Sequence, residues 1–313
     1  MTLWCLLNRR RNSRILRLSD YAKRLELAGV GNGFQEVLWL AAYALSEDTA
    51  HILARREFSP EEAAKIEKVI ARREAGEPLQ YITGVADFYG RDFHVGSGVL
   101  IPRHDTETLI HAVVKHFARN EAFRFTDWGT GSGCIAVSIL LEFPKTYAYL
   151  VETKPDARRY AEMNLRQYGL IDRAEFVGDG DVHCRSDGAE FVADADVHCR
   201  TDGAKFSQTL PKCTLTISNP PYIPTGEING LMKSVRDYEP VSALDGGDDG
   251  MKFYREIFAK ADSDCIILEI GDIKQVHALE TMADKYICCD EVRDAGDFPR
   301  CLVFTRRAVH EKT

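Results

Sequence analysis

The chain has 313 residues, 45% of them apolar and 28% charged, and a formal net charge of -8. This balance suits one large soluble domain or two smaller ones, and it disfavours sequence-independent binding along a nucleic acid backbone, a local basic patch aside. No stretch is long and apolar enough to span a membrane, and the apolar Met1–Leu7 precede Arg9, Arg10, Arg11 and Arg14, the reverse of a secretory signal.

The nine cysteines show no CxxC pair and no disulfide-like spacing. A reduced, cytoplasmic setting is the expectation. From about Leu16 to Gly76 the pattern is helical. Ser19 suits the cap of a helix to Ala28, with Gly29 as its stop. A second helix is expected over Val37–Leu45, and Ser46 is placed to cap a third. Ser59-Pro60-Glu61-Glu62 is a well-formed start for a fourth, running to Ala75. These amphipathic helices hold no catalytic constellation and read as a small bundle over residues 1–77. From Pro78 to Val99, short aromatic and β-branched pieces broken by Gly84, Gly90, Gly96 and Gly98 predict a β-hairpin linker. Residues 100–313 follow as the larger domain, with a helix expected from Thr106, capped by Thr106 or Asp105.

Phe125–Trp128 reads as a strand followed at once by Gly129-Thr130-Gly131-Ser132-Gly133 and a helix from Cys134 to Leu141. Glycines there permit a tight turn and let backbone N–H groups approach a ligand. A second strand, Tyr147–Val151, ends at Glu152, 19 positions after Gly133. An acidic residue roughly 20 positions on accepts from ribose hydroxyls in nucleotide-binding α/β folds. The glycine spacing differs from the dinucleotide pattern and the P-loop lysine is missing. A nucleoside ligand without phosphates fits better, and S-adenosylmethionine is the common one.

A helix from Pro155 to Tyr168 leads to a third strand near Ala174–Val177, where the fifteen residues Ala174–Gly188 recur almost unchanged as Ala189–Gly203. Two copies are too few for a solenoid, so 174–203 reads as a local insertion at the sheet edge. Which copy supplies the strand is open. His183-Cys184 and His198-Cys199 invite a zinc reading, but adjacent residues on an extended chain point to opposite faces. No metal is expected.

Thr214–Ile217 reads as a buried strand, and the loop leaving it is Ser218-Asn219-Pro220-Pro221-Tyr222-Ile223. Two prolines fix two φ angles and remove two donors, and Asn219 is pushed out of the α region. The stiff loop presents the Asn219 amide, free carbonyls and the Tyr222 ring together. Such a set can hold a planar –NH2 group; the bland alternative is a proline-rich turn around a buried tyrosine. Beyond it lie a turn-rich stretch to Gly250, a helix over Met251–Ala261, a strand over Cys265–Ile270, a helix over Lys274–Lys285, and strands near Ile287–Val292 and Arg300–Thr305. Alternating strands and helices predict an α/β sheet with helices on both faces, parallel but for a final strand. The glycine loop, Glu152 and Asn219 all fall at strand carboxyl ends, where such sheets bind ligands.

At these residues the chain resembles the bacterial peptide chain release factor glutamine methyltransferases, the PrmC/HemK family. The resemblance covers nearly the whole chain: Pro78–Gly84, Phe88-Tyr89-Gly90, Leu100–Arg103 with Thr106-Glu107, Asp127 with Gly129–Gly133, Asn219–Tyr222, Glu239-Pro240, Ala243-Leu244, Gly246-Gly247 and Leu268–Gly271. It implies a seven-stranded class I, Rossmann-like S-adenosylmethionine-dependent methyltransferase domain, a hairpin linker and a helical N-terminal domain that docks the substrate. It implies that Gly129, Thr130, Gly131, Ser132 and Gly133 wrap the methionine part of the cofactor, that Glu152 holds the ribose where most relatives carry Asp, and that Asn219 borders both ligands. The adenine-bordering position falls in the duplicated stretch, where Asp179, Gly180, Asp194 and Ala195 compete. Asn219, Pro220 and Tyr222 would be catalytic, and with Pro221 they would bind the substrate glutamine. The Asn219 oxygen and the Pro220 carbonyl would accept the two amide hydrogens, and Tyr222 would pack on the amide plane. The partners implied are peptide chain release factors, methylated at a glutamine, with no direct nucleic acid or membrane binding.

Two rivals share the residues. A DNA adenine-N6 or ribosomal-protein glutamine methyltransferase would use the same acceptors, but the acidic charge speaks against DNA and the Gln80–Gly84 and Thr106-Glu107 wording against ribosomal-protein relatives. A scaffold with a dead cofactor site is opposed by the intact glycine loop and Asn219.

Overall fold

The computed structural model describes residues 18–55, 57–177 and 211–308. It divides into two units: residues up to Val85 with Leu231–Glu239, and Ala86–Gly230 with Pro240 onwards.

The first unit is helical. α1 (Leu18–Leu27) and α2 (Gly33–Leu45) precede the short α3 (Thr49–Ala54), α4 (Pro60–Glu74) and α5 (Leu79–Thr83). Leu25, Val37, Leu40, Ile52, Ile66 and Ile70 close its core. Ser59 and Glu62 form the expected reciprocal cap of α4. Ser46 instead ends α2 in a left-handed conformation, and Asp48 caps α3 by accepting from His51 N–H. The start of the expected hairpin is also helical: Leu79–Thr83 make one turn, stopped by Gly84 at φ +78°. Burial of Ile82 against the helical core outweighs the β-rich composition of that stretch. A segment from the far half of the chain joins this unit. It carries α9 (Lys233–Arg236), and the Tyr238 hydroxyl donates to Ala75 O at 3.2 Å.

The second unit, from Ala86, begins within a hairpin, β1 (Val85–Phe88) and β2 (Arg91–His94), whose two-residue turn places Tyr89 and Gly90 at φ +53° and +66°. Positive φ at both positions matches the right-handed twist of the paired strands. A 3-10 turn over His104–Thr106 leads into α6 (Glu107–His116). Then follow β3 (Arg124–Trp128), α7 (Cys134–Glu142), β4 (Tyr147–Val151), α8 (Pro155–Gln167), β5 (Ala174–Phe176) and β6 (Cys213–Ser218). α10 (Lys252–Lys260), β7 (Ser263–Glu269), α11 (Ile273–Met282), β8 (Tyr286–Arg293) and β9 (Pro299–Arg306) complete it.

β3 to β9 form one sheet in the order β5-β4-β3-β6-β7-β9-β8. β9 runs antiparallel to both its neighbours; the other pairings are parallel. Successive side chains point to opposite faces, so Cys265 and Ile267 of β7 join one core with α6 and α7, while Ile266 and Leu268 join another with α10 and α11. Parallel strands buried on both faces explain the unbroken apolar runs in the sequence. The chain leaves β3 towards β4 and β5, then returns to its other side with β6. That reversal opens a crevice at the carboxyl ends of β3 and β6.

The first copy of the duplication supplies β5. The rest of the repeat, with Asp179, Gly180, Asp194, Ala195 and the two His-Cys pairs, lies outside the described residues. No helix among the described residues is long and apolar enough to cross a membrane, and the six described cysteines are free.

Candidate active site

A cleft of about 960 Å³ occupies that crevice, its walls drawn from the second unit. The loop after β3 forms one wall. Gly129 and Gly131 adopt φ +77° and +55°, conformations that a side chain resists. Gly133 packs so tightly on α8 that a Cβ would sit 3.2 Å from Ala161 Cα. The loop is tied to β4, with Gly129 and Thr130 N–H donating to Val151 O at 2.8 and 3.1 Å.

Glu152 stands at the end of β4. Its two carboxylate oxygens accept from Gly131 N–H (3.1 Å) and Lys154 N–H (2.8 Å). Burial raises its pKa, and these N–H groups pull it back. A carboxylate so oriented on a cleft wall still has lone pairs for ligand hydroxyls. A Cβ on Gly129 would meet nothing within 4 Å, so the loop leaves open space beside that carboxylate. Hydroxyl-accepting carboxylate, open glycine loop and no lysine-bearing phosphate loop together fit a nucleoside-type ligand. Asp127, beneath the loop, accepts from Thr130 Oγ1 at 2.6 Å through Oδ2, while its Oδ1 is buried without a partner.

Asn219, Pro220 and Pro221 form the facing wall. Asn219 Nδ2 donates to Thr106 Oγ1 at 3.0 Å, and its Oδ1 accepts no bond from the described residues. Tyr222 is not on this wall. Its ring lies against Gly271, where a Cβ would come within 2.4 Å of Cδ2 and Cε2, and its hydroxyl donates to Glu269 Oε1 at 3.5 Å. The stacking platform expected from the sequence is therefore turned into the protein. Its ring is apolar and joins the core that includes Trp128 and Leu268.

The loop beyond is stitched down by backbone bonds. Ile223 N–H donates to Leu244 O (3.1 Å) and Gly246 N–H to Ile223 O (2.8 Å). Gln275 Nε2 reaches Tyr222 O at 3.3 Å. These partners give a role to the turn-rich run Leu244–Gly250, whose purpose is not legible in the sequence alone. Thr106 and Glu269 were legible only as a cap candidate and a resemblance; their link to Asn219 and Tyr222 leaves no local pattern. Glu269 on β7 is 2% exposed, and burial pushes its carboxyl up to about 7. Asp87, His104 and Glu107 bring ligand atoms within 4.8 Å of one another, but Glu107 Oε1 already accepts from Tyr89 N–H.

Residues 18–84 match the family described as the PrmC N-terminal domain. The chain is 36% identical over 239 residues to a Geobacter sulfurreducens protein named release factor glutamine methyltransferase, covering 74% of this chain and 73% of that relative. A Rhodospirillum rubrum protein of the same name is 33% identical over 296 residues, 92% of this chain and 83% of the relative. Among solved structures, a release-factor-specific protein-(glutamine-N5) methyltransferase from Alicyclobacillus acidocaldarius is 23% identical. That alignment covers 69% of this chain and 100% of the other at a TM-score of 0.36.

Proposed function

The chain belongs to the release factor glutamine methyltransferase family, and on that premise we propose how its cleft serves the reaction. The enzyme methylates the side-chain amide nitrogen of a glutamine, in the Gly-Gly-Gln motif of peptide chain release factors, and so modulates translation termination in the cytoplasm. S-adenosylmethionine is the donor that suits the cleft; bound, it supplies an electrophilic methyl carbon on a sulfonium. Gly129–Gly133 would hold its methionine part and Glu152 its ribose, with Asn219 bordering both ligands.

A glutamine amide nitrogen is a poor nucleophile because its lone pair is delocalised into the carbonyl. This chain's residues answer by orientation. The Asn219 Oδ1 and the Pro220 carbonyl accept the two amide hydrogens and hold the nitrogen in line, replacing a large entropic cost. Fixed acceptors also stabilise the positive charge that grows on nitrogen. Pro221 keeps the wall rigid and excludes a competing donor, since it has no N–H. Tyr222 contributes from behind, its ring wedged on Gly271 so that the Asn219-Pro220 pair cannot shift. No general base is required before methyl transfer.

The observation that carries this reading is Asn219, whose Nδ2 is engaged by Thr106 while Oδ1 stays available at the cleft wall. Asn219→Ala is expected to lower kcat by at least about 100-fold while leaving cofactor binding within a few-fold. The assay is transfer of labelled methyl to a release factor, with mapping of the labelled residue. Near-parental turnover by the variant, or label on a residue other than glutamine, would overturn it.

A further inference from the structure

We infer that Thr106 is a positioning residue: its hydroxyl oxygen accepts from Asn219 Nδ2 and so decides that Oδ1, not the amide NH2, is offered to the substrate. The inference rests on the reading of Asn219 given above and deepens it. A carboxamide is nearly symmetrical in shape, yet its two ends are opposite in polarity. Turned over, Asn219 would set its own NH2 against the NH2 of the glutamine, donor against donor, and the acceptor would be lost.

A threonine hydroxyl can accept or donate, so the bond of 3.0 Å alone does not choose between the two orientations. The surroundings do. Glu269 is buried at the end of β7 and its Oε2 has no hydrogen-bond partner. No hydrogen bond joins Thr106 to that oxygen, but the Thr106 hydroxyl lies near enough to ease the effect of burial on the Glu269 carboxyl, and a turn of the hydroxyl would give its hydrogen an acceptor there. With its hydrogen turned towards that carboxyl, Thr106 Oγ1 keeps lone pairs to receive from Asn219 Nδ2, the direction in which the 3.0 Å bond runs. The Tyr222 hydroxyl donates to the same side chain at 3.5 Å, so one buried carboxyl stands by both ends of the Asn219–Tyr222 loop.

Thr106 is itself anchored. It is 3% exposed, and its N–H donates to Arg103 O at 3.1 Å. The preceding Asp105 is clasped by Arg300 at 3.3 Å and by Thr108 Oγ1, which donates to its carbonyl at 2.7 Å. The turn over His104–Thr106 is thereby pinned from β9 and from α6, and the Thr106 oxygen is a fixed point.

The test compares Thr106→Val, which keeps the shape and loses the hydroxyl, with Thr106→Ser, which keeps the hydroxyl. The probes are labelled S-adenosylmethionine and a release factor bearing Gly-Gly-Gln. Thr106→Val is expected to lower kcat about 10- to 100-fold with the cofactor KM within about 2-fold, and Thr106→Ser to stay within about 3-fold of the parent. In the full chain, the Asn219 side-chain NH2 resonance, identified by its loss in Asn219→Asp, should exchange with solvent at least about 10-fold faster in Thr106→Val than in the parent. Parental kcat in Thr106→Val, equal losses in both variants, or unchanged exchange would each overturn the assignment. Should the valine variant not fold, Thr106→Ala against Thr106→Ser makes the same comparison. If the parent methylates no glutamine, the proposed function fails, while the exchange measurement still decides the role of Thr106.

Discussion

Asp127 shows how much one residue beneath the glycine loop can hold. It is fully buried, and burial pushes its pKa up to about 7 against the pull of the Thr130 hydroxyl. An unfolded Asp titrates near its ordinary value of about 3.9. Between the two values the native state keeps a proton that the unfolded state releases, so the stability Asp127 contributes is full at low pH and is lost as pH rises towards 7. Asp127→Asn cannot ionise. Relative to the parent, the variant is expected to gain up to about 4 kcal/mol between pH 3 and pH 8, since each pH step between the folded and unfolded values is worth roughly 1.4 kcal/mol. Urea unfolding at the two pH values reads this directly, and a difference that stays flat would mean that the native Asp127 titrates as it does in the unfolded chain. Residues of this kind were half legible. The sequence placed Asp127 at the end of a strand before a glycine loop, but burial without a partner for Oδ1 is a property of its packed neighbours.

Elements explain why the Asn219 loop is stiff beyond its two prolines. Gly246 and Gly250 press on the Tyr222 backbone, where added Cβ atoms would fall 2.8 and 2.4 Å from it, and Gly271 at the end of β7 closes on the ring. The ring has no room to retreat, since its hydroxyl faces buried Glu269. Gly271→Ala therefore has to displace the loop. It is expected to cost about 1–3 kcal/mol of stability and to lower kcat more than the cofactor KM, as measured by thermal unfolding and steady-state kinetics. A variant as stable and as fast as the parent would show that packing on Gly271 does not hold the loop. The helices and strands themselves were mostly readable from apolar period and cap residues, Ser59–Glu62 above all. Leu79–Thr83 was not, because a five-residue piece carries too little pattern to set against tertiary burial.

At the scale of the whole chain, sequence order and spatial membership part company. Leu231–Glu239 lies in the second half of the sequence yet belongs to the first unit, and the next residue, Pro240, lines the cleft of the second. The duplicated stretch is the other case. Ala174–Phe176 of the first copy pair with β4 and supply the edge strand, so that strand does not call for a second copy. Deleting Ala189–Gly203 is expected to leave the melting midpoint within about 3 °C, roughly the shift of a 1 kcal/mol change in a domain near this size, with methyl transfer retained. A large fall in either would show that the second copy has a structural or catalytic part.

Composition, period and short motifs were enough to announce an alternating α/β chain, a helical first unit, a glycine loop with its acidic partner and a stiff Asn-Pro-Pro-Tyr corner. These are local properties, written in neighbouring residues. That Asn219 Nδ2 is held by Thr106, that Tyr222 turns inward, and that residues 231–239 cross to the first unit were set by the folded chain. Hydrogen-bond polarity and excluded volume act between whatever atoms are close in space, and Thr106 and Asn219 stand 113 positions apart in the chain.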